Sequence, residues 1–202
     1  MLFSGRKLTS VRGGRTVFAD VEFSVAAGHA LVLRGPNGSG KSTLLRLAAG
    51  FLQPTEGTLE WDGTPVAADL DGHRARVAYV GHVDAVKSAL TVAENLGFWV
   101  TLSGGSGADT KAALAALGLA ELADAPAAYL SAGQRRRLNL ARLAASRAPL
   151  WLLDEPTVSL DAPSVAALVQ IVAEHCAGGG QAIIATHDRL DLPAVDTLTF
   201  VP

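Results

Sequence analysis

Ala30-Leu31-Val32-Leu33 is a short, wholly apolar run that leads directly into Gly35-Pro36-Asn37-Gly38-Ser39-Gly40-Lys41-Ser42-Thr43. Leu44, Leu45, Leu47 and Ala48 then follow at helical spacing and stop at Gly50. This order of strand, glycine loop and helix restricts the fold more than any other stretch. A strand apolar at every position is buried on both faces, the habit of a parallel sheet. A glycine-rich turn that opens a helix is an anion site. Its glycines let backbone N–H groups curl around phosphate oxygens without a Cβ in the way. The helix adds the positive end of its dipole. The spacing Gly-x4-Gly-Lys-Ser completes a phosphate-binding loop, in which Lys41 reaches β- and γ-phosphates and Ser42 ligates Mg²⁺. Each residue from Gly35 to Thr43 is therefore a candidate nucleotide contact, and the expected ligands are a nucleoside triphosphate and Mg²⁺.

Other stretches fit the same class. Leu150 to Leu153 and Ala182 to Ala185 read as buried parallel strands. Val77 to Val80 is a further strand, and Thr58 to Trp61 runs into an Asp62-Gly63 turn. Ala162 to Cys176 has helical periodicity, ended by Gly178-Gly179-Gly180. From Thr91 to Ser146 no strand pattern occurs. Ala112 to Leu122 is helical, and Ser103 to Gly107 is a loop between helical stretches. The expectation is one domain over residues 1–202, an α/β core interrupted by a helical subdomain at about residues 85–146.

Composition excludes several classes. The 202 residues carry 17 Lys and Arg against 19 Asp and Glu, a net charge of −2. No basic surface for nucleic acid is expected from that balance. Mean hydropathy is +0.28, yet no run of about 18 apolar residues reads as a membrane span. The start, Met1 to Lys7, lacks the apolar stretch of a secretory signal, so the chain is expected to stay on the side where it is made. Cys176 is the only cysteine, which rules out an internal disulfide. No Cys-x-x-Cys-His occurs to attach haem covalently. His175 reads as an exposed residue beside a core thiol.

Two further groups complete the chemistry. Asp154 and Glu155 end the Leu150 strand, where open α/β sheets bind ligands. Asp154 fits the Mg²⁺-site aspartate of a phosphate-loop NTPase. Glu155 can orient or deprotonate the attacking water. Leu130-Ser131-Ala132-Gly133-Gln134 precedes a helix expected over Arg135 to Ser146 and makes a second helix-N-terminus anion site. Arg135-Arg136-Arg137 reads as a solvated helix face. His187, in Thr186-His187-Asp188, follows the last core strand.

Taken together, these motifs resemble the ATP-binding cassette (ABC) ATPase family over nearly the whole chain. The resemblance implies a phosphate-loop core of ABC type, with a small helical subdomain and an antiparallel β region at the N-terminus. It implies that Ser131, Gly133 and Gln134 meet the γ-phosphate held by another copy, so that two cassettes pair head to tail as a homodimer. Ser159-Leu160-Asp161 resembles the dimer-contact loop. His187 resembles the switch histidine that senses the γ-phosphate with Glu155. The family glutamine that helps hold Mg²⁺ is replaced here by His82. The usual aromatic on adenine is replaced near Arg12, whose guanidinium can stack on a base.

Tyr79 to His82 with Thr91 to Leu96, Tyr129 to Arg137, and Ala141 to Pro156 are similar to the haem-exporter branch that serves cytochrome c maturation. That branch also carries the histidine at the glutamine slot. The branch implies integral membrane subunits as partners, a peripheral place on the cytoplasmic side of the inner membrane, and no contact of this chain with haem. Other classes fit less well. Soluble cassette proteins of ribosomes or DNA carry tandem cassettes or long insertions, and neither occurs in these residues. A guanine-nucleotide switch needs an Asn-Lys-x-Asp reader, which is absent. A catalytically dead partner would not retain Lys41, Asp154, Glu155 and His187.

Overall fold

The computed structural model describes residues 1–200. In chain order the elements are β1 (Leu2–Arg12), β2 (Arg15–Ala26), β3 (Ala30–Arg34), α1 (Lys41–Ala48), β4 (Glu56–Trp61), β5 (Thr64–Pro65), α2 (Leu70–Ala75), β6 (Val77–Val80), α3 (Val92–Leu102), α4 (Gly107–Ala116), α5 (Ala132–Ala144), β7 (Leu150–Asp154), α6 (Ala162–Ala177), β8 (Gln181–Ala185) and β9 (Val195–Thr199). Two compact units are interleaved along the sequence. One comprises Met1–Tyr79, Ala148–Glu155 and the chain from His175, the other Val80–Arg147 and Pro156–Glu174.

The first unit holds both sheets. Its five-stranded sheet has the order β6-β7-β8-β3-β9, and β3 pairs in parallel with β8 and β9, as β7 does with β8. β7 and β8 are buried at every position, β3 at all but its last. That burial on both faces is why these segments are apolar without alternation. On α1, Leu44, Leu45 and Leu47 have no solvent exposure. Each such side chain contributes about 1.5–3 kcal/mol on burial. They share a core with Leu33, Leu152 and Ile183 from the sheet.

The second sheet is antiparallel, in the order β2-β1-β4-β5. Gly13 and Gly14 both take positive φ at the β1–β2 turn, which suits a tight hairpin. β2 alternates from Val21 to Ala26, with Phe23 and Val25 buried between exposed neighbours, but β1 does not show the period-2 alternation that marks a strand in sequence. The register shifts after Gly5 and again after Leu8, and Lys7 sits at φ 49. These bulges re-aim the side chains, so apolar residues fall in clusters rather than alternating. Gly57 (φ 86) lies against the Arg6 and Lys7 carbonyls with no room for a Cβ.

The second unit is built on α3, α4 and α5. Complete capping boxes start α3, from Thr91 and Glu94, and α5, from Ser131 and Gln134. The Asp109 carboxylate accepts from the Ser106 N–H and hydroxyl at the start of α4. Two expected boundaries move as a result. The helix expected over Ala112 to Leu122 begins at Gly107, because the Ser106–Asp109 cap nucleates it, and stops before Gly118 (φ 63). The helix expected from Arg135 begins at Ala132, so the Ser131-Ala132-Gly133-Gln134 motif is itself its first turn.

His175 also departs from expectation. It stacks on Trp151 with ring centroids 3.8 Å apart and the rings nearly parallel, and its Nε2 lies 3.2 Å from the Gln181 carbonyl. Burial pushes its pKa below the ordinary histidine value. Cys176 is buried, as a core thiol should be.

Candidate functional site

The parallel sheet brings the phosphate loop and the carboxyl ends of β7 and β8 to one edge of the first unit. β3, which feeds the loop, pairs directly with β8, and β8 pairs with β7. Ligands of open α/β sheets bind at this edge, because the loops after neighbouring strands diverge there.

The loop is shaped by its glycines. Gly35 (φ 140) would drive a Cβ into the Phe200 backbone at 2.7 Å, and Gly40 (φ 105) would drive one into Phe18 at 2.8 Å. Phe18 and Phe200 pack edge to face at 5.7 Å and form the floor under the loop. Lys41 is buried. Its Nζ donates to the Gly35 carbonyl at 2.7 Å and the Pro36 carbonyl at 3.0 Å. A buried ammonium held by neutral carbonyls favours an anion beside it. The buried Ser39 hydroxyl has no hydrogen-bond partner within the protein, as expected of a group that turns to an oxygen of a bound phosphate. The residues present therefore fit a polyphosphate.

Ser42 Oγ donates to Asp154 Oδ1 at 3.0 Å. Among the described residues no three His, Cys, Asp or Glu side chains gather to hold a metal by themselves. A hydroxyl and one carboxylate are hard oxygen donors of the kind Mg²⁺ accepts, when phosphate oxygens complete the shell. Burial first, and the Asp154 charge second, raise the pKa of the Tyr79 phenol on β6 above its usual value.

Glu155 stands at φ 45, a left-handed conformation uncommon for a side-chain-bearing residue. Its N–H donates to the Ala185 carbonyl at 2.8 Å. Its Oε1 lies 3.5 Å from His187 Nε2, and Asn37 Oδ1 lies 3.0 Å from the same nitrogen. Two oxygen acceptors place the ring proton on Nε2. Lys41 Nζ, 3.5 Å from that nitrogen, then faces a donor and makes no bond with it. His187 thus bridges the phosphate loop and the carboxylate after β7, a link through Asn37 that no spacing in the sequence announced.

Ser131, Gly133, Gln134 and His82 belong to the second unit. Ser131 Oγ accepts from the Gln134 N–H at 3.2 Å, and Gln134 Oε1 accepts from the Ser131 N–H at 2.8 Å. Gly133 lies where a Cβ would meet the Ser159 carbonyl at 2.8 Å, so α5 and the Ser159-Leu160-Asp161 segment touch through a glycine. His82 is exposed, two residues beyond β6.

The arginine run does not form a solvated face. Arg136 is 3% exposed, and Arg137 donates to the Leu117 and Gly118 carbonyls. Consecutive helical residues point about 100° apart, so three in a row cannot share one face. That geometry is the signal that would have flagged Arg136.

A family model described as ABC transporter matches residues 18–158. The chain belongs to the ABC transporter family. This cassette is an ATPase of the ABC type, with the phosphate loop, the carboxylate pair and the Leu130 to Gln134 signature all inside the matched span. It is 52% identical to "Cytochrome c biogenesis ATP-binding export protein CcmA" of Paramagnetospirillum magneticum, over 97% of this chain and 92% of that protein. Among solved structures it resembles an ATP-binding subunit of an ABC transporter, with a TM-score of 0.82 at 26% identity, covering 93% of this cassette and 80% of that chain. It also shares the fold of the ATP-binding cassette MJ0796, solved as a dimer in a post-hydrolysis state with ADP and Pi. There the TM-score is 0.80 at 24% identity, over 92% of this cassette and 88% of that chain.

Proposed function

We propose that this cassette is the ATP-hydrolysing subunit of the haem exporter of cytochrome c maturation. It would work as a head-to-tail homodimer on integral membrane subunits, at the cytoplasmic face of the inner membrane. The observation that carries this reading is the 52% identity to a cytochrome c biogenesis export protein across 97% of the chain. His82 at the slot after β6, where the family has glutamine, supports it. Among the described residues no helix is long and apolar enough to cross a membrane; in this reading partner subunits supply the translocation path.

In this reading Lys41 and the loop N–H groups from Gly38 to Thr43 bind the β- and γ-phosphates. Gly35, Pro36 and Asn37 shape the entry to the loop. Ser42, Asp154 and His82 would hold Mg²⁺, directly or through water, and the bound ion would neutralise charge on the transferring phosphoryl group. Glu155 accepts a proton from the attacking water as its oxygen bonds to the γ-phosphorus. The bond from that phosphorus to the β–γ bridging oxygen breaks, leaving ADP and phosphate. His187 holds Glu155 and the water in line. Ser131, Gly133 and Gln134 of a second copy donate to the γ-phosphate from the start of α5, where a dipole and free N–H groups favour an anion. Each chain has one phosphate loop and one signature, which supports pairing.

The test is purification of the tagged chain from its own membranes, together with haem staining of c-type cytochromes in a Glu155→Gln strain. Integral membrane subunits are expected to co-purify, and c-type cytochromes to be lost while other haem proteins persist. Normal c-type cytochromes in that strain would move the cassette to a transporter of another small substrate. Recovery without any membrane subunit would move it to a soluble role.

A further inference from the structure

The buried member of the arginine run sits at a junction. Arg136 Nη1 donates to the Gly81 carbonyl at 2.9 Å and to Asp84 Oδ1 at 3.0 Å, and Nε donates to the Pro156 carbonyl at 3.3 Å. The pair is shielded, with the Arg136 side chain 4% and Asp84 21% exposed. Asn139 Nδ2 donates to the same Asp84 oxygen at 3.1 Å. Arg142 Nη1 donates to Asn139 Oδ1 at 3.0 Å, and its guanidinium lies 3.6 Å over the Trp99 ring of α3. Burial pushes the Arg142 pKa down to about 10. Residues 136, 139 and 142 are spaced three apart and share one face of α5. They form a continuous polar spine inside a single unit.

The ends of this spine are chemically placed. Gly81 and Asp84 bracket His82. Pro156 is the residue after Glu155, whose φ of 45 persists only where the surrounding chain holds it. We propose that Arg136 is a positioning residue for ATP hydrolysis. Its planar fork ties the loop that carries His82 to the peptide that follows the catalytic carboxylate. Asp84 balances its charge, and Asn139, Arg142 and Trp99 buttress it. The proposal rests on the reading of Glu155 as the base. A lysine could keep the charge but not the fork, because an ammonium is a point donor on a flexible stem. An asparagine at 84 could keep an acceptor for both neighbours but not the charge.

The experiment uses the full-length purified cassette and compares Arg136→Lys, Asp84→Asn and the double variant in ATP hydrolysis and urea unfolding. If Arg136 positions the base, Arg136→Lys lowers kcat roughly 10- to 100-fold, the effect of a displaced reacting group. KM for ATP stays within about twofold, since the phosphate loop is untouched. The two single losses in kcat are then non-additive, because both act through one pair. A role confined to stability predicts lower urea midpoints with wild-type kcat, or additive losses, and either result overturns the proposal. If Arg136→Lys does not fold, Asp84→Asn alone decides by the same split of kcat from KM. Glu155→Gln is run alongside. Wild-type hydrolysis by that variant removes the base assignment itself. An inactive Glu155→Gln beside fully active Arg136→Lys and Asp84→Asn removes only the positioning role.

Discussion

In the proposed mechanism Lys41 and Glu155 act at opposite ends of one reaction, so their loss should separate binding from chemistry. Lys41 is the buried cation of the loop, held by two neutral carbonyls. Lys41→Ala removes the charge-assisted bonds to the phosphates, and nucleotide affinity should fall with turnover. Glu155→Gln keeps the shape of the side chain and its backbone bond to Ala185. It should leave nucleotide binding intact and lower turnover by roughly 10²–10⁴-fold, the usual contribution of a positioned base. His82→Ala in the same series should raise the Mg²⁺ concentration needed for half-maximal hydrolysis. Equilibrium binding of a fluorescent ATP analogue and steady-state rates at varied Mg²⁺ measure all three. Tight binding by Lys41→Ala, wild-type turnover by Glu155→Gln, or an unchanged Mg²⁺ requirement would each strike out the corresponding role.

At the scale of elements, α1 is a short helix that must hold the phosphate loop steady. Its far end is clamped from α2. His73 Nε2 lies 2.9 Å from the Ala48 carbonyl, and Nδ1 accepts from Trp61 Nε1 at 2.9 Å, so the ring is neutral with its proton on Nε2. Arg74 donates to the Gly50 carbonyl through Nε and Nη2. The clamp thus meets carbonyls that the helix end leaves free. Burial, with the nearby Arg76 and Arg74 charges, lowers the pKa of His73 despite the bond to Ala48. Protonation would put a donor opposite the Trp61 N–H. With the folded value below the unfolded one, the unfolded chain binds the proton first as pH falls. The clamp therefore contributes fully above the free histidine range, near pH 6.5, and is lost as pH falls through the lower folded value. Burial of His175 acts in the same direction. Urea midpoints should fall between about pH 7.5 and about pH 5, and His73→Leu should show a shallower fall than wild type. Equal slopes in the two proteins would show that His73 does not titrate in this way.

For the whole molecule the test is complementation between chains. If Ser131 and Gly133 complete the site of another copy, a Lys41→Ala chain and a Ser131→Arg chain are each inactive as homodimers. Their heterodimer has one intact composite site, formed by the loop of the second chain and the signature of the first. Mixing should restore ATP hydrolysis. Heterodimers confirmed by differential tags but still inactive would point to a site completed within one chain.

The sequence by itself determined the features that depend on local chemistry. Apolar runs of four residues are too short for a helix and fit strands buried on both faces, so β3, β7 and β8 were legible, as was the glycine loop that follows β3. The cap residues Ser131 and Gln134 sit in the motif itself, and the expected helix shifted by only a few residues, starting at Ala132 and ending at Ala144. What the tertiary structure decided depends on neighbours far apart in the chain. The bulges of β1 hid its alternation. The contact of Asn37 with His187 exists because parallel pairing brings the ends of β3 and β8 side by side. Gly133 is fixed by a carbonyl at Ser159, and Gly35 by the backbone of Phe200. Arg136 read as solvated because arginine usually is. It is buried because Gly81 and Asp84, from one loop, and Pro156, from a distant part of the chain, converge to satisfy its fork, and a charge enters a protein interior only where such partners have been assembled.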